Sequence, residues 1–266
     1  MVSNKICGVE ISNPKRLVFP KSKITKFDIA LYYSSVASKM LKFLKNRPLS
    51  IIRCHSNIYG EKFFKKHAQK NEDVEKFFVS KNIVSDEYFY INTKKQLINQ
   101  VRLGTVEFHT WNLKVDDLSH PDFMIFDLDP DESVDIKLLR KATKLVKKFL
   151  NNLNLKCFLK TSGGKGYHIL AKVENLTTKK VSMLAKKISE ALMQKYPDIF
   201  VVNASKEKRK NKIFIDYLRN KKGATCVCAY SLRLRENATI SFPIKWNMLD
   251  KVLPNQINIK NFHKFL

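Results

Sequence analysis

The stretch Asp122–Glu132, D-F-M-I-F-D-L-D-P-D-E, constrains this chain more than any other. Four apolar residues, Phe123 to Phe126, fit a buried strand. Asp127 and Asp129 follow two apart, and residues i and i+2 of a strand project from one face. Pro130 lacks a backbone N–H and tends to end pairing. The chain must therefore build a sheet in which a buried strand carries two carboxylates side by side at its end. Carboxylates this close repel unless a cation lies between them. Hard divalent cations such as Mg2+ or Mn2+ take oxygen ligands of this kind. The pattern points to a metal site for phosphoryl transfer, against the plainer alternative of a solvated acidic turn.

Upstream, P-K-R-L-V-F-P at 14–20 is a short apolar segment between prolines. Thr25 with Asp28 three residues on predicts a helix cap, followed by helical spacing from Phe27 to Leu44. Arg16, Lys21, Lys23 and Lys26 then surround a helix N-terminus, where backbone donors and the dipole favour a phosphate; ordinary solvated lysines are the alternative. Residues 48–54 read as a strand. F-F-K-K-H, Phe63 to His67, sets two aromatics beside Lys65 and Lys66, a pattern suited to base stacking next to phosphate contacts. One core Phe and one partly exposed Phe would give the same string. Residues 94–103 predict a short helix. V-E-F-H-T-W, Val106 to Trp111, alternates, so Glu107, His109 and Trp111 share a face that suggests a cleft.

After the acidic strand, Ser133 is a candidate helix cap, with an apolar stripe from Ile136 to Leu150. A strand at Cys157 to Lys160 runs into T-S-G-G-K-G-Y-H, Thr161 to His168. The Walker A spacing is absent, and Tyr167 to Val173 alternates as another strand. Three glycines with Ser162, Lys165 and His168 favour backbone N–H groups turned toward an anion, a plain Gly hairpin being the alternative. Residues 177–196 predict a helix stopped at Pro197. The basic loop Ser205–Lys212 leads into I-F-I-D-Y, where Asp216 stands among apolar residues. A buried lone carboxylate needs a cation or donor, and joining Asp127 and Asp129 would supply one. Arg233 and Arg235, two apart in Y-S-L-R-L-R, suit a triphosphate.

The net charge is +26, from 50 basic against 24 acidic residues, which favours polyanionic partners, nucleic acid first. An A+T-rich genome would inflate Lys, Asn and Ile, but does not account for the shortage of acids. The five cysteines form no C-x-x-C pair, so neither a disulfide framework nor a zinc site is expected, and Cys226 and Cys228 read as core-facing. The N-terminal residues lack an apolar signal core and no apolar run approaches a membrane span, so an intracellular protein is expected. With no repeat or low-complexity linker, residues 1–266 read as a single unit.

Six motifs occur in order: V-F-P-K-S-K-I-T-K, F-F-K-K-H, E-F-H-T-W, P-D-F-M-I-F-D-L-D-P, T-S-G-G-K-G-Y-H and Y-S-L-R-L-R. Together, from about Val9 to Phe262, the chain closely resembles the polymerase domain of bacterial ATP-dependent DNA ligase D, of the archaeal and eukaryotic primase superfamily. The resemblance implies an α+β, primase-like fold: two mainly antiparallel sheets flanked by helices, with a catalytic cleft between them. No ligase or nuclease motif accompanies it, so a stand-alone version is expected. It implies a template-dependent nucleotidyltransferase working at DNA ends in non-homologous end joining, with ribonucleotides preferred. By similarity, Asp127, Asp129 and Asp216 are the metal carboxylates, holding two ions, Mn2+ or Mg2+. His109, Ser162, Lys165, His168 and Arg233, with Arg235 beside it, serve the nucleoside triphosphate. Phe63, Phe64 and Lys66 meet the template end. Arg16 and Lys26 hold the 5′-phosphate of a break, and Arg209 arranges the site when a 3′ end arrives. Ku protein and an ATP-dependent DNA ligase are the implied partners.

Two rival readings remain open on sequence alone. D-L-D-P-D is similar to the D-x-D-x-[TV] motif of haloacid-dehalogenase-type phosphatases, although Asp131 stands where Thr or Val belongs. A DNA-end-binding protein without catalysis would keep the basic surface, but has no need to keep three carboxylates.

Overall fold

The computed structural model describes residues 4–81 and 84–266. The first half of the chain opens with two short ladders, β1 (Lys5–Ile6) with β2 (Val9–Glu10), and β3 (Leu17–Phe19) with β4 (Ile24–Thr25). Helix α1 (Lys26–Leu44) begins on the expected capping box: Thr25 accepts from the Asp28 N–H and Asp28 accepts from the Thr25 N–H. A cap of this kind contributes about 1 kcal/mol. Then come β5 (Leu49–Cys54), β6 (Lys62–Lys65), the ribbon of β7 (Glu75–Lys81) and β8 (Val84–Tyr90), α2 (Lys94–Arg102) and β9 (Thr105–Thr110).

The second half holds β10 (Phe123–Pro130), α3 (Ile136–Asn152), β11 (Cys157–Thr161), β12 (Tyr167–Lys172), α4 (Thr178–Lys195), β13 (Phe200–Val201), β14 (Ile213–Asp216), β15 (Cys226–Val227) and β16 (Pro243–Ile244). Ser133 does not cap α3. Asp135 does, accepting from the Leu138 N–H, while Ser133 is drawn back to Asp131 and Asn211. The aspartate sits immediately before the first helical residue, where its carboxylate meets the unpaired donors.

Among the described residues the strands form two larger sheets. One runs β15-β9-β5-β6, antiparallel throughout; the other runs β13-β14-β10-β12-β11-β16, antiparallel except for β13 with β14. Alternation decides what each face does. In β10, Met124, Phe126 and Leu128 pack on α3 and α4 through Leu139, Val146, Val181 and Ile188. In β9, Val106 and Phe108 pack on α1 and α2 through Tyr33, Val36, Leu97 and Val101. Burying each such side chain contributes about 1.5–3 kcal/mol. The opposite faces, carrying Asp127 and Asp129 on one sheet and Glu107 and His109 on the other, are left to line the cleft. No helix among the described residues is long and apolar enough to cross a membrane.

Candidate active site

Register assembles the carboxylates. Asp127 is paired across β10–β14 with Asp216 and across β10–β12 with His168. His168 Nε2 lies 3.2 Å from Asp127 Oδ1. Arg219, in the 3-10 turn Leu218–Asn220, places Nε 3.0 Å from Asp216 Oδ2 and 3.4 Å from Asp127 Oδ2. Arg209, at the end of the turn Lys206–Arg209, places Nη1 3.1 Å from Asp129 Oδ2 and stacks 3.9 Å from the Phe214 ring centre. Burial alone would push the Asp127 carboxyl up, but the charges of His168, Arg219 and Lys160 hold it well below the usual carboxylate range. Burial and the neighbouring Asp127 charge raise Asp129. Burial raises Asp216 as well, against the opposing pull of Arg219.

Among the described residues, no three His, Cys, Asp or Glu side chains converge as metal ligands. Each aspartate of the triad instead contacts an arginine, Asp127 and Asp216 sharing Arg219 and Asp129 meeting Arg209. The donor set itself, three carboxylates on adjacent strands, fits a hard divalent cation.

Behind Asp127 lies a buried polar chain that adds Lys160 and Ser241, to which the sequence pattern assigns no role, to His168 and Cys226. His168 Nδ1 is 2.9 Å from Lys160 Nζ and 3.0 Å from Cys226 Sγ. Lys160 Nζ donates to Ser241 Oγ at 2.7 Å. Burial draws the Lys160 amine down. Burial would raise the Cys226 thiol, but His168 and Lys160 bring it to about 7. Cys226 is core-facing as expected, yet it touches the site. The signal available was a lysine inside a strand at β11. Beyond this chain the space between the sheets continues as an apolar cavity of about 440 Å3, lined by Trp111, Ile125, Phe158 and Trp246 among others.

Glu107 is the hub of the opposite wall. It lies 2.9 Å from His109 Nε2 and 3.1 Å from Arg233 Nε, and accepts from the Leu234 N–H at 2.6 Å. Burial opposes ionisation of Glu107, but His109 and Arg233 bring its carboxyl to about 2. Burial lowers His109, against the pull of Glu107. Arg233 Nη1 also donates to the Ser162 carbonyl at 2.7 Å, tying this wall to the Gly loop.

The loop itself departs from expectation. The Gly164 and Gly166 N–H groups donate to Ser162 Oγ, at 3.0 and 3.2 Å, instead of turning outward. A short buried hydroxyl inside the turn satisfies them locally, as Ser commonly does. Gly166 is required because a Cβ there would lie 1.8 Å from the Leu128 carbonyl oxygen, so the loop lies directly on β10. Arg235 lies along Gly164, whose Cβ would be 3.4 Å from its guanidinium carbon. Lys165 reaches Glu132 at 2.7 Å at the surface, and its charge is felt at Asp129.

The structure separates the remaining residues. The α1 N-terminus does not offer backbone donors: the N–H groups of Lys26, Phe27 and Asp28 are taken by Arg16 O, Pro14 O and Thr25 Oγ1. Lys26 is buried, not solvated, and its Nζ donates to Ser12 O and Oγ at 2.9 and 3.0 Å. Burial and the charges of Arg16 and Arg102 draw its amine down to about 8. Arg16 donates to the carbonyls of His55 and Cys54. Side-chain cations, not the helix end, make this corner positive. Phe63 is half-buried against His55, whereas Phe64 is 55% exposed with Lys66 Nζ 5.6 Å from its ring centre.

With this geometry in view, residues 25–266 match the model of the LigD primase-polymerase domain. The chain is 37% identical over 258 residues to the multifunctional non-homologous end joining protein LigD of Pseudomonas aeruginosa, covering 96% of this chain and 31% of that protein. It is 27% identical over 251 residues to the bifunctional non-homologous end joining protein LigD of Bacillus subtilis, covering 92% and 40%. The chain thus spans about a third of the length of the relatives it matches. Its fold is similar to the polymerase domain of Mycobacterium tuberculosis Ligase D in complex with DNA, with TM-score 0.88 and 25% identity over 96% of this chain and 94% of that one.

Proposed function

Because the chain belongs to the LigD primase-polymerase domain family, we propose that it is a template-directed nucleotidyltransferase that extends DNA ends during non-homologous end joining. The observation that carries this reading is the register that sets Asp127 against Asp216 and His168, one strand away from the Gly loop. A divalent cation held by Asp127, Asp129 and Asp216 would neutralise the triphosphate and activate a primer 3′-hydroxyl. The chain's own residues supply position and charge. Lys165 in the loop, with Arg233 and Arg235 beside it, would hold a triphosphate. His168 bridges Asp127 to Lys160, which fixes the ring at the back of the site. Glu107 fixes both His109 and Arg233. Arg209 at Asp129 is the contact a 3′ end entering the site would rearrange.

The finer features belong to the same proposal. Two ions, Mn2+ or Mg2+, serve the three carboxylates. Ribonucleotides are preferred. Arg16 and Lys26, with Arg102 adding charge, grip a 5′-phosphate, and Phe64 with Lys66 stacks on the template end. Ku protein and an ATP-dependent ligase cooperate at the break.

Family membership argues against the phosphatase reading, as does Asp131, which is turned to the surface and bonded to Ser133 and Asn211. Primer extension with labelled nucleotide tests the proposal against the non-catalytic tether as well. Wild type should extend with Mn2+ or Mg2+, and Asp127→Ala, Asp129→Ala and Asp216→Ala should each abolish extension. Near wild-type activity in Asp127→Ala would end the reading.

A further inference from the structure

We propose that Arg219 is a displaceable counter-ion whose guanidinium stands between Asp127 and Asp216 and competes with the divalent cation for them. The inference rests on the triad being the cation site. Arg219 Nε is the group closest to both carboxylates at once, 3.0 Å from Asp216 and 3.4 Å from Asp127. A guanidinium and a divalent cation cannot share that position, because like charges at such separation repel strongly.

The contact is close but poorly directed. Arg219 Nε is buried and has no aligned hydrogen-bond partner, so the side chain is held by charge more than by geometry. Its other contact, Nη1 to the Thr225 carbonyl, is long at 3.4 Å. Arg209 Nε likewise lacks an aligned partner, but Arg209 is less exposed and is braced by the Phe214 ring and by the Ala204 carbonyl as well as by Asp129. Of the two arginines at the triad, Arg219 is the looser.

The backbone beneath it is fixed. Asn220 accepts from the Ile125 N–H at 2.8 Å and donates to the Ile125 carbonyl at 2.7 Å, two residues before Asp127. Leu218 N–H donates to Asp216 Oδ1 at 3.0 Å. The turn is thus pinned to the catalytic strand, and displacement means swinging a side chain that is 42% exposed and has solvent to move into. The cost of that displacement is subtracted from cation affinity. The site is thereby kept from binding a cation tightly on its own, and an arriving triphosphate gives the freed guanidinium a new anion to pair with.

The test is Mn2+ binding to nucleotide-free protein, read from the electron paramagnetic resonance signal of the unbound ion. Arg219→Ala should bind Mn2+ about tenfold more tightly than wild type, in the range of ordinary coupling between sites. Arg219→Lys, which keeps a charge there, should stay near wild type. Adding Asp127→Ala to Arg219→Ala should remove the gain. Binding by Arg219→Ala that is no tighter than wild type, with an unchanged circular dichroism spectrum, overturns the counter-ion role. Should Arg219→Ala fail to fold, the neutral and similarly sized Arg219→Gln gives the same comparison. A gain that survives loss of Asp127 places the cation elsewhere, and the triad reading falls with the inference.

Discussion

Replacing Glu107 by Gln keeps the shape of the side chain and removes its charge. In the wild type that charge is buried, faces His109 and Arg233, and accepts a backbone N–H. The carboxyl moves from 4.5 to about 2 on folding. Linkage converts a shift of that size into about 3 kcal/mol. A depressed carboxylate contributes fully above its unfolded value and loses the contribution as pH falls toward its folded value. Glu107→Gln should therefore cost about 3 kcal/mol at pH 7, in line with the cost of breaking a buried pair. The gap should narrow to about 2 kcal/mol at pH 3.5. Thermal melts of both proteins at the two pH values measure it, and about 3 kcal/mol corresponds to a drop of roughly 6–12 °C in a domain of this size. The same substitution frees Arg233 from its orienting partner, so KM for the nucleotide should rise more than kcat falls. A gap that is the same at both pH values, or below about 1 kcal/mol at pH 7, would refute the argument.

Other outcomes follow from the same geometry. Duplexes with a recessed 5′-phosphate should bind more tightly than their 5′-hydroxyl counterparts by on the order of 1–3 kcal/mol at one fixed salt concentration, and Arg16→Ala with Lys26→Ala should erase the difference. Since the Lys26 amine is drawn down to about 8, the preference should weaken between pH 7 and pH 9 as that charge is lost; a constant preference would locate the pocket elsewhere. Phe64→Ala should weaken binding of a template end by about 1–3 kcal/mol without lowering the melting temperature, because the ring is exposed and holds little of the core. In competition between matched nucleotide pairs, ribonucleotides should be incorporated more often than deoxyribonucleotides, and equal incorporation would contradict this.

Local rules were enough for helices α1 to α4 and for the strands that carry Glu107, Asp127 and Asp216, but not for the β7–β8 ribbon. The Thr25–Asp28 capping box, the alternation in V-E-F-H-T-W and the apolar run before Asp127 each describe neighbours within a few residues, and each is realised. So is the sharing of a face by Asp127 and Asp129, because strand period does not depend on what the strand pairs with. The choice of Asp135 over Ser133 as the α3 cap lay two positions away, in the competition of Asp131 for the serine hydroxyl.

What the tertiary structure decided is who neutralises whom. Whether Asp216 meets Asp127 depends on β14 docking beside β10, a pairing between segments far apart in the chain. The sequence offers nine arginines and many more lysines as counter-ions, and nothing local picks Arg219 for Asp127 or Arg233 for Glu107. The same holds for Lys26. Its sequence neighbours suggest a solvated helix end, but the chain before α1 folds over it, and Ser12, Arg16 and Pro14 take the donors that would otherwise face an anion. Side-chain type and strand period fixed which groups could do chemistry. Charge acts through space and burial is set by long-range packing, so only the folded chain determined which of those groups face one another.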